Sequence, residues 1–320
     1  MNAHDYVSFP LSKLYADEPL PADLYLFVSG HFLKYKPAGD VIDKQKYDLF
    51  LFKGIQYVFV TNEDHAAYDK WSKDLEEVAK EELITIVGVE NEALVEMHME
   101  VQDELLNFVT SEVTDEGVKK MLDKTRAIVQ KATVQKAVES FMTKILKYND
   151  SLKDHSSNVA NLSTYLALNI GYAQQILLEN IYIGGLLHDF GKVRINKKYL
   201  EDPSSKSYKM AMRKHPSLGK TALLVDSSFP DEILRIIEEH HERFDGRGYP
   251  KKTKGSRHYD LSKIVQIANI FDNLVSSNKE GTIVERQRKA VKRIEKEGGK
   301  MFDPKILPKV VKALNYIIAG

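Results

Sequence analysis

The long run of charged, helix-periodic sequence from residue 63 onward most constrains the fold of this chain. Within it, apolar side chains recur at intervals of three and four residues, and the clearest set is Leu94, Met97, Val101, Leu105 and Phe108. This spacing places them on one face of a helix. Comparable patterns cover residues 68–82, 92–109 and 116–147, and the pattern remains helical to Ala319 apart from irregular stretches at 194–207 and 245–259. We therefore expect a mainly α fold.

The first 65 residues have a different pattern. Two β-prone segments, Leu24–Val28 and the alternating residues 31–35, flank Gly30 and predict a hairpin. A helix-length piece, Lys44–Phe52, leads through Gly54 into residues 55–60, whose aromatic and β-branched content favours a strand. A small α+β unit is expected here.

A chain of 320 residues is long enough for two domains. We predict an N-terminal α+β domain at 1–65, a helical connector at 66–142 and a second, all-helical domain at 143–320. Two interpretations of the connector stay open. Its helices either pack on each other and link the two units, or form a stem through which two copies of the chain make a homodimer.

Composition excludes several classes of function. Lysine plus arginine equals aspartate plus glutamate at 46 each, so no global field attracts DNA or an anionic membrane, and any phosphate recognition must be local. The chain has no cysteine, which excludes disulfides, thiolate metal ligands and a thiol nucleophile. Neither a signal peptide nor an apolar run of membrane-spanning length is visible, so we expect a soluble cytoplasmic protein without membrane insertion.

Histidines are concentrated in one part of the chain. Six of the ten fall within about a hundred residues, and most lie at the end or on one face of a predicted helix: His155, His188, His215, His240, His241 and His258. Imidazole and carboxylate groups that converge from several helices are how a bundle builds an internal metal site.

Two local features predict that this site holds a pair of ions. His188 and Asp189 follow an apolar segment, where a buried carboxylate is costly without a cation, although a simple hydrogen-bonded pair is the alternative. On a helix, adjacent side chains point about 100° apart, so we expect His240 and His241 to serve different ions. An aspartate such as Asp189 can bridge two cations, an arrangement suited to displacement at phosphorus.

Four motifs lie in this region. HHERFDGRGYP begins at His240 and carries glycines that allow close backbone approach, HDFGK begins at His188, HPSLG at His215 and HSSNVA at His155. In order and spacing they resemble the HD-GYP family of cyclic dinucleotide phosphodiesterases. The resemblance implies that 143–320 is an HD-type bundle and a metal-dependent phosphohydrolase.

The resemblance also implies an activity and a set of residues. The family hydrolyses cyclic di-GMP to pGpG or GMP through a metal-bridging hydroxide. Lys192 is then expected to contact the scissile phosphate and Tyr249 to lie near the substrate as a hydrogen-bond donor, unless Tyr249 merely packs the loop. The ligand type together with the resemblance favours iron, or alternatively manganese. The implied metal ligands are His155, His188, Asp189, His215, His240 and His241.

The chain departs from the family pattern at three places. Asn269 stands where the family has a ligating aspartate; its side-chain oxygen is a weaker ligand, and Asp272 is expected to substitute for it or to hydrogen-bond the site. Ser151 replaces a glutamate that serves a third metal in some relatives, so we expect two metals. An arginine-bearing segment is absent, and Lys279 is expected to compensate in substrate binding.

These departures leave other functions open. The chain is alternatively a degenerate sensor or signalling adaptor that holds metal and a cyclic dinucleotide with little or no turnover. A third alternative is a phosphohydrolase of the wider HD superfamily that acts on another nucleotide. The intact GYP loop, which contains Gly248, Tyr249 and Pro250, argues against this alternative. A protein partner would bind through that loop or through the N-terminal domain.

Overall fold

A computed structural model describes residues 5–138, 141–142, 144–145, 155–224, 229–278 and 280–319. Four strands are β1 Tyr6–Pro10, β2 Leu24–Val28, β3 His31–Lys36 and β4 Tyr57–Thr61. The helices before residue 140 are α1 Lys44–Phe52, α2 His65–Val87, α3 Glu92–Thr110 and α4 Asp115–Val134. Those after it are α5 His155–Ile170, α6 Gln175–Leu187, α7 Lys206–Met212, α8 His215–Leu223, α9 Asp231–Glu239, α10 Asp260–Ser277, α11 Ile283–Glu295 and α12 Leu307–Ala319. The predicted mainly helical class with a small N-terminal α+β unit is confirmed.

The N-terminal unit is an antiparallel sheet in the order β1-β4-β2-β3. The predicted hairpin is present, with Val28 opposite His31. One face of the sheet is buried, because Phe9, Leu24 and Val58 join a core of their own with α1 and the start of α2. Strand β1 is absent from the sequence prediction, since its five residues include Ser8 and Pro10 and give no sustained β pattern.

The helical part has one continuous core that runs from Leu83 in α2 to Ile318 in α12. Helices α3 and α4 pack on each other, and α4 also packs on α6. Residues of the predicted connector therefore share the core of the C-terminal helices. The boundaries between domains, and the dimerisation stem, stay predictions.

The predicted helix 116–147 is wrong as one continuous element. Helix α4 ends at Val134, and Lys136 adopts a left-handed conformation with φ 53°. The amide of Ala137 then bonds back to the carbonyl of Ala132. Glycine is the usual residue in this conformation at the end of a helix. Because a lysine adopts it here, no glycine or proline in the sequence marks the break.

Close backbone contact brings two short segments together next to the core. The 3-10 helix Phe190–Arg194 packs against α8 and also touches α1 of the N-terminal unit. A Cβ on Gly191 would lie 1.9 Å from the carbonyl oxygen of His215, so only glycine fits there. This contact fixes the distance between Asp189 and His215.

None of the helices in the described part of the chain is both long and apolar enough to span a bilayer.

Candidate metal centre

Five histidines and one aspartate converge from four segments of the helical part. His155 opens α5, His188 and Asp189 directly follow α6, His215 opens α8, and His240 and His241 directly follow α9. Helix α6 packs on α5 and α9, and α9 packs on α8, so these ends meet at one place. The structure thus brings together the six residues that the resemblance implied.

Asp189 lies at the centre of the cluster, and its two oxygens face different histidines. Oδ2 lies 3.3 Å from Nε2 of His188 and 3.7 Å from Nε2 of His155. Oδ1 lies 3.1 Å from Nε2 of His215 and 4.0 Å from Nε2 of His240. Asp189 is accordingly shared by two groups that could each hold a metal ion: Asp189, His215, His240 and His241, and His155, His188 and Asp189.

Backbone carbonyls fix the tautomers of three rings. Nδ1 of His188 donates to the carbonyl of Gly185 at 2.7 Å. In the same way, Nδ1 of His215 donates to Met212 at 2.7 Å and Nδ1 of His240 to Ile237 at 2.8 Å. A carbonyl oxygen can only accept, so each Nδ1 carries the proton and each neutral ring presents a lone pair on Nε2. This is the usual orientation of a metal-ligating histidine.

Burial favours the neutral form of His188, His240 and His241, and the Asp189 carboxyl is ionised. Burial and the neighbouring imidazoles hold the pKa of His240 well below its ordinary value, and the same causes lower the pKa of His241 to about 3. Burial alone would raise the pKa of Asp189, but His188 and Lys192 hold that pKa well below its usual range. Neutral imidazole and ionised carboxylate are the protonation states that bind a divalent ion.

Some buried polar atoms of the cluster have no hydrogen-bond partner among the described residues. Nε2 of His188 and Oδ1 of Asp189 are buried, and neither has a hydrogen-bond partner within the described chain. Nε2 of His215 lies 3.1 Å from Nε2 of His240. When both rings are neutral with the proton on Nδ1, two lone pairs face each other at that distance and repel, and a metal ion between them would remove the repulsion; burial disfavours protonation of His240. The donor set therefore fits divalent cations.

The prediction that His240 and His241 diverge is wrong. Their ring centroids are 4.2 Å apart, and both rings belong to the group that includes His215. Helix α9 ends at Glu239, so the two histidines lie in the turn that follows, where the angular spacing of a helix no longer applies.

Asp272 hydrogen-bonds a ring of the cluster, which agrees with the second of the two roles expected for it, and its place among the metal ligands stays a prediction. Its Oδ2 accepts a hydrogen bond from Nδ1 of His155 at 2.7 Å, and its Oδ1 accepts one from Nδ2 of Asn158 at 3.0 Å. Nε2 of His155 is thereby directed at Asp189. The carboxylate thus orients a candidate ligand.

Asn269 is buried, and its side-chain oxygen accepts a hydrogen bond from Nδ2 of Asn273 at 2.6 Å. Sequence reasoning did not foresee this competing partner. Ser151 and Lys279, which bear on the number of metals and on substrate binding, lie outside the described residues.

Lys192 and Tyr249 lie beside the cluster. Nζ of Lys192 contacts Oδ2 of Asp189 at 2.5 Å. The Tyr249 ring stacks on His241, with centroids 4.7 Å apart and planes 24° from parallel. Burial and the charge of Asp189 raise the pKa of Tyr249, so its hydroxyl stays protonated at neutral pH and can donate a hydrogen bond.

The loop that carries Tyr249 is held by buried groups. Glu242 is buried and accepts hydrogen bonds from the amides of Lys251 at 2.5 Å and Thr253 at 3.1 Å. A Cβ on Gly248 would clash with the amide nitrogen of Arg243, so the glycine there allows the loop to pack on its own backbone, and the predicted close approach to a ligand or metal stays a prediction.

A cavity of about 380 Å³ opens beside this loop. His241 and Tyr249 line it together with Arg213, which the sequence analysis did not single out. No motif marked Arg213, and its neighbourhood depends on how α8 meets the loop. The signal that could have found it is its position two residues before His215.

Comparisons with known proteins agree with the motifs. A model of the HD domain family matches residues 139–306. The chain is 29% identical over 125 residues to the 3'3'-cGAMP-specific phosphodiesterase 1 of Vibrio cholerae, which covers 38% of this chain and 28% of that protein. It is also 29% identical over 191 residues to a cyclic di-GMP phosphodiesterase of Thermotoga maritima, which covers 54% of this chain and 50% of that protein. The chain thus spans half or less of the length of these relatives.

A solved structure shares the whole fold. It is Bd1817, described as a HDG"Y"P protein from Bdellovibrio bacteriovorus, with a TM-score of 0.62 and 20% sequence identity. The match covers 99% of this chain and 100% of that one, so it includes the N-terminal sheet. The resemblance predicted from the motifs is confirmed.

Proposed function

Because the chain belongs to the HD domain family, we propose that it is a metal-dependent phosphodiesterase that hydrolyses a cyclic dinucleotide, with cyclic di-GMP as the substrate. The relatives named for cyclic di-GMP and cGAMP support the substrate class. The GYP loop beside the cluster supports cyclic di-GMP in particular through the resemblance.

The observation that carries the proposal is the arrangement of lone pairs around Asp189. Nε2 of His215 and Nε2 of His240 face each other at 3.1 Å with both Nδ1 protons committed to carbonyls. An arrangement that repels itself without a cation is explained if the cluster exists to hold one.

We propose two ions, one for each group that shares Asp189. His215, His240 and His241 would hold one, and His155 and His188 the other. Ions in these two positions would supply Lewis-acid polarisation of a phosphodiester and a lowered pKa of bound water. Imidazole and carboxylate ligands without thiolate favour iron or manganese as the proposed metals, with the resemblance tilting the choice.

Charged and polar side chains of the chain would stabilise the reacting phosphate. The Lys192 ammonium, which neutralises Asp189 in the structure, would turn to the phosphate oxygens and offset the charge that develops there. The protonated Tyr249 hydroxyl would donate to the substrate while its ring holds His241 in place. Lys279 remains a proposed substrate contact.

One observation favours a second function, that of a metal-containing sensor with little or no turnover. The Asn269 oxygen is already bonded to Asn273, so the position that is a ligating aspartate in the family pattern contributes no charge here. A weaker ion position would slow hydrolysis more than binding.

The test is incubation of the purified protein with cyclic di-GMP after loading with iron or manganese. Linear pGpG or GMP, identified by chromatography, supports the enzyme, and binding without product supports the sensor. The variants His188→Ala and Asp189→Ala should lose both metal and turnover.

An exposed histidine provides the matched control. His31 lies on β3, far along the chain from the cluster, so His31→Ala should keep the metal content and rate of the wild type. Full metal content in His188→Ala would contradict the ligand assignment, and an inert, non-binding wild type would contradict both functions.

A further inference from the structure

The cavity beside the GYP loop joins the proposed metal centre to a cationic surface. Its lining includes His241 and Tyr249 together with three arginines, Arg213, Arg243 and Arg247. At about 380 Å³ it is large enough for part of a nucleotide, since ligand pockets begin near this size. The question is which part.

Arg213 and Arg243 differ in what already neutralises their charges. Arg243 makes two hydrogen bonds to Asp245, at 3.0 and 2.8 Å, so its charge is satisfied within the loop. Arg213 is exposed and makes no ion pair or side-chain hydrogen bond with any other described residue. Its guanidinium lies 5.8 Å from the centroid of the Tyr249 ring. Arg213 is thus a planar cation held beside the loop with its donors available.

A cyclic dinucleotide carries two phosphodiester groups, and only one of them can react at a time. The reacting group must reach Asp189 and Lys192, whereas Arg213 contacts the Tyr249 ring, which itself stacks on His241. The free guanidinium therefore lies one ring away from the candidate ligands. That is the position expected for a group that holds the second phosphate while the first is cleaved.

We propose that Arg213, assisted by the exposed Arg247 of the same cavity, binds the phosphate that is not cleaved. This inference rests on the proposed function and assigns a specificity-determining residue to it. Guanidinium suits the role because its fork donates two parallel hydrogen bonds to phosphate oxygens. The apolar side chains of Ile270 and Met301 line the same cavity and give the attached nucleoside a surface to pack on.

The arginine-bearing segment of the family pattern is absent after α10 in this chain. In this proposal, Arg213 and Arg247 supply the positive charge that the missing segment would have supplied. Binding of the second phosphate is then coupled to the loop that places Tyr249 against His241.

Two substrates distinguish binding of the second phosphate from a contribution to the hydrolysis of any phosphodiester. Cyclic di-GMP has a second phosphate, and bis(p-nitrophenyl) phosphate is a diester without one. In the metal-loaded protein, Arg213→Ala should lower kcat/KM for cyclic di-GMP about 10- to 100-fold, as expected for loss of a charged hydrogen-bond pair, and leave kcat/KM for the simple diester within about twofold. Arg213→Lys should fall between, because it keeps the charge but loses the fork.

Lys214→Ala is the matched control, since it removes an equal charge from the adjacent exposed residue, which does not line the cavity. It should leave both rates unchanged. If the wild type binds cyclic di-GMP without cleaving it, the same ratios are measured as Kd by calorimetry.

The outcomes are distinguishable. Equal losses on both substrates, or an Arg213→Ala variant that matches the wild type on cyclic di-GMP, would overturn this inference and leave the proposed function standing. A wild type that neither binds nor cleaves cyclic di-GMP would overturn both.

Discussion

At the scale of single residues, Asp272 shows how a carboxylate acts on a candidate metal ligand through a hydrogen bond. Its two oxygens bond to Nδ1 of His155 and Nδ2 of Asn158. Only a carboxylate can accept both protons in this geometry, and its negative charge makes the imidazole a stronger electron donor.

Asp272→Asn should therefore weaken the proposed ion position formed by His155 and His188. An amide that keeps the shape but loses the charge is expected to lower affinity there about 10- to 100-fold, while the position formed by His215, His240 and His241 stays filled. Elemental analysis after dialysis against limiting metal should show the loss as fewer ions per chain.

The exposed Asp74, paired with Lys70 on α2, offers the control. Asp74→Asn removes a carboxylate remote from the cluster and should leave the ion count unchanged. An Asp272→Asn protein that retains as much metal as the wild type would exclude this positioning role.

The sequence predicted which residues form the cluster, but it did not predict which hydrogen bonds their neighbours make. The motifs marked all six cluster residues, because histidines and aspartates at helix ends have few other uses together. They did not reveal that Asp272 bonds to His155 or that Asn273 engages Asn269, since such partners depend on side-chain directions within α10. Arg213 went unmarked for the same reason.

At the scale of elements, we expect the contact between the 3-10 helix Phe190–Arg194 and α8 to determine whether the candidate metal centre can assemble. The 3-10 helix carries Lys192 and follows Asp189, while α8 opens with His215. Gly191 allows the two backbones to approach until the amide of Gly219 would lie 2.5 Å from an added Cβ.

Gly191→Ala should force these two elements apart. Overpacking of this kind costs about 1 to 3 kcal/mol, and the atoms that the added Cβ would meet are backbone atoms of His215 and Gly219, which cannot rotate away. We expect lower stability in urea unfolding together with loss of metal, because Asp189 and His215 would separate.

Gly117→Ala in α4 is the comparison variant, because the nearest atom to its added Cβ is the Thr114 hydroxyl oxygen at 3.2 Å. A change within about 0.5 kcal/mol is expected there. Wild-type stability and metal content in Gly191→Ala would show that the close contact does not govern the site.

Element prediction succeeded where periodicity was strong and failed where the backbone changes direction without a marker. Helices α2 and α3 were found within a few residues, and the strands β2 and β3 with their turn. The break after Val134 escaped prediction because a lysine, not a glycine, adopts the left-handed conformation. The directions of His240 and His241 were mispredicted because helix α9 ends at Glu239, before both histidines, whereas that argument placed both of them on the helix.

At the scale of the whole molecule, the cluster joins parts of the chain that are remote in sequence. Its members span His155 to His241 and come from the ends of α5, α6, α8 and α9. The two proposed ions, which share Asp189, would together act as a crosslink in the folded state only.

Metal removal should accordingly lower thermal stability. At a metal concentration of about 100 times Kd, binding contributes about 2.7 kcal/mol, equivalent to a shift in Tm of about 5 to 10 °C for a domain of this size. Calorimetry with and without a chelator measures the shift, and Asp189→Ala should show none. An equal shift in that variant would place the stabilising ion elsewhere.

The hydrogen bonds that orient the imidazoles have a second consequence. Gly185, Met212 and Ile237 lie in the last turns of α6, α7 and α9, where backbone carbonyls have no amide of the next turn to accept from. The rings of His188, His215 and His240 supply those missing donors. The histidine cluster therefore also caps the C-terminal ends of three helices, so replacing any of these rings by an aliphatic side chain would fray a helix as well as remove a candidate metal ligand.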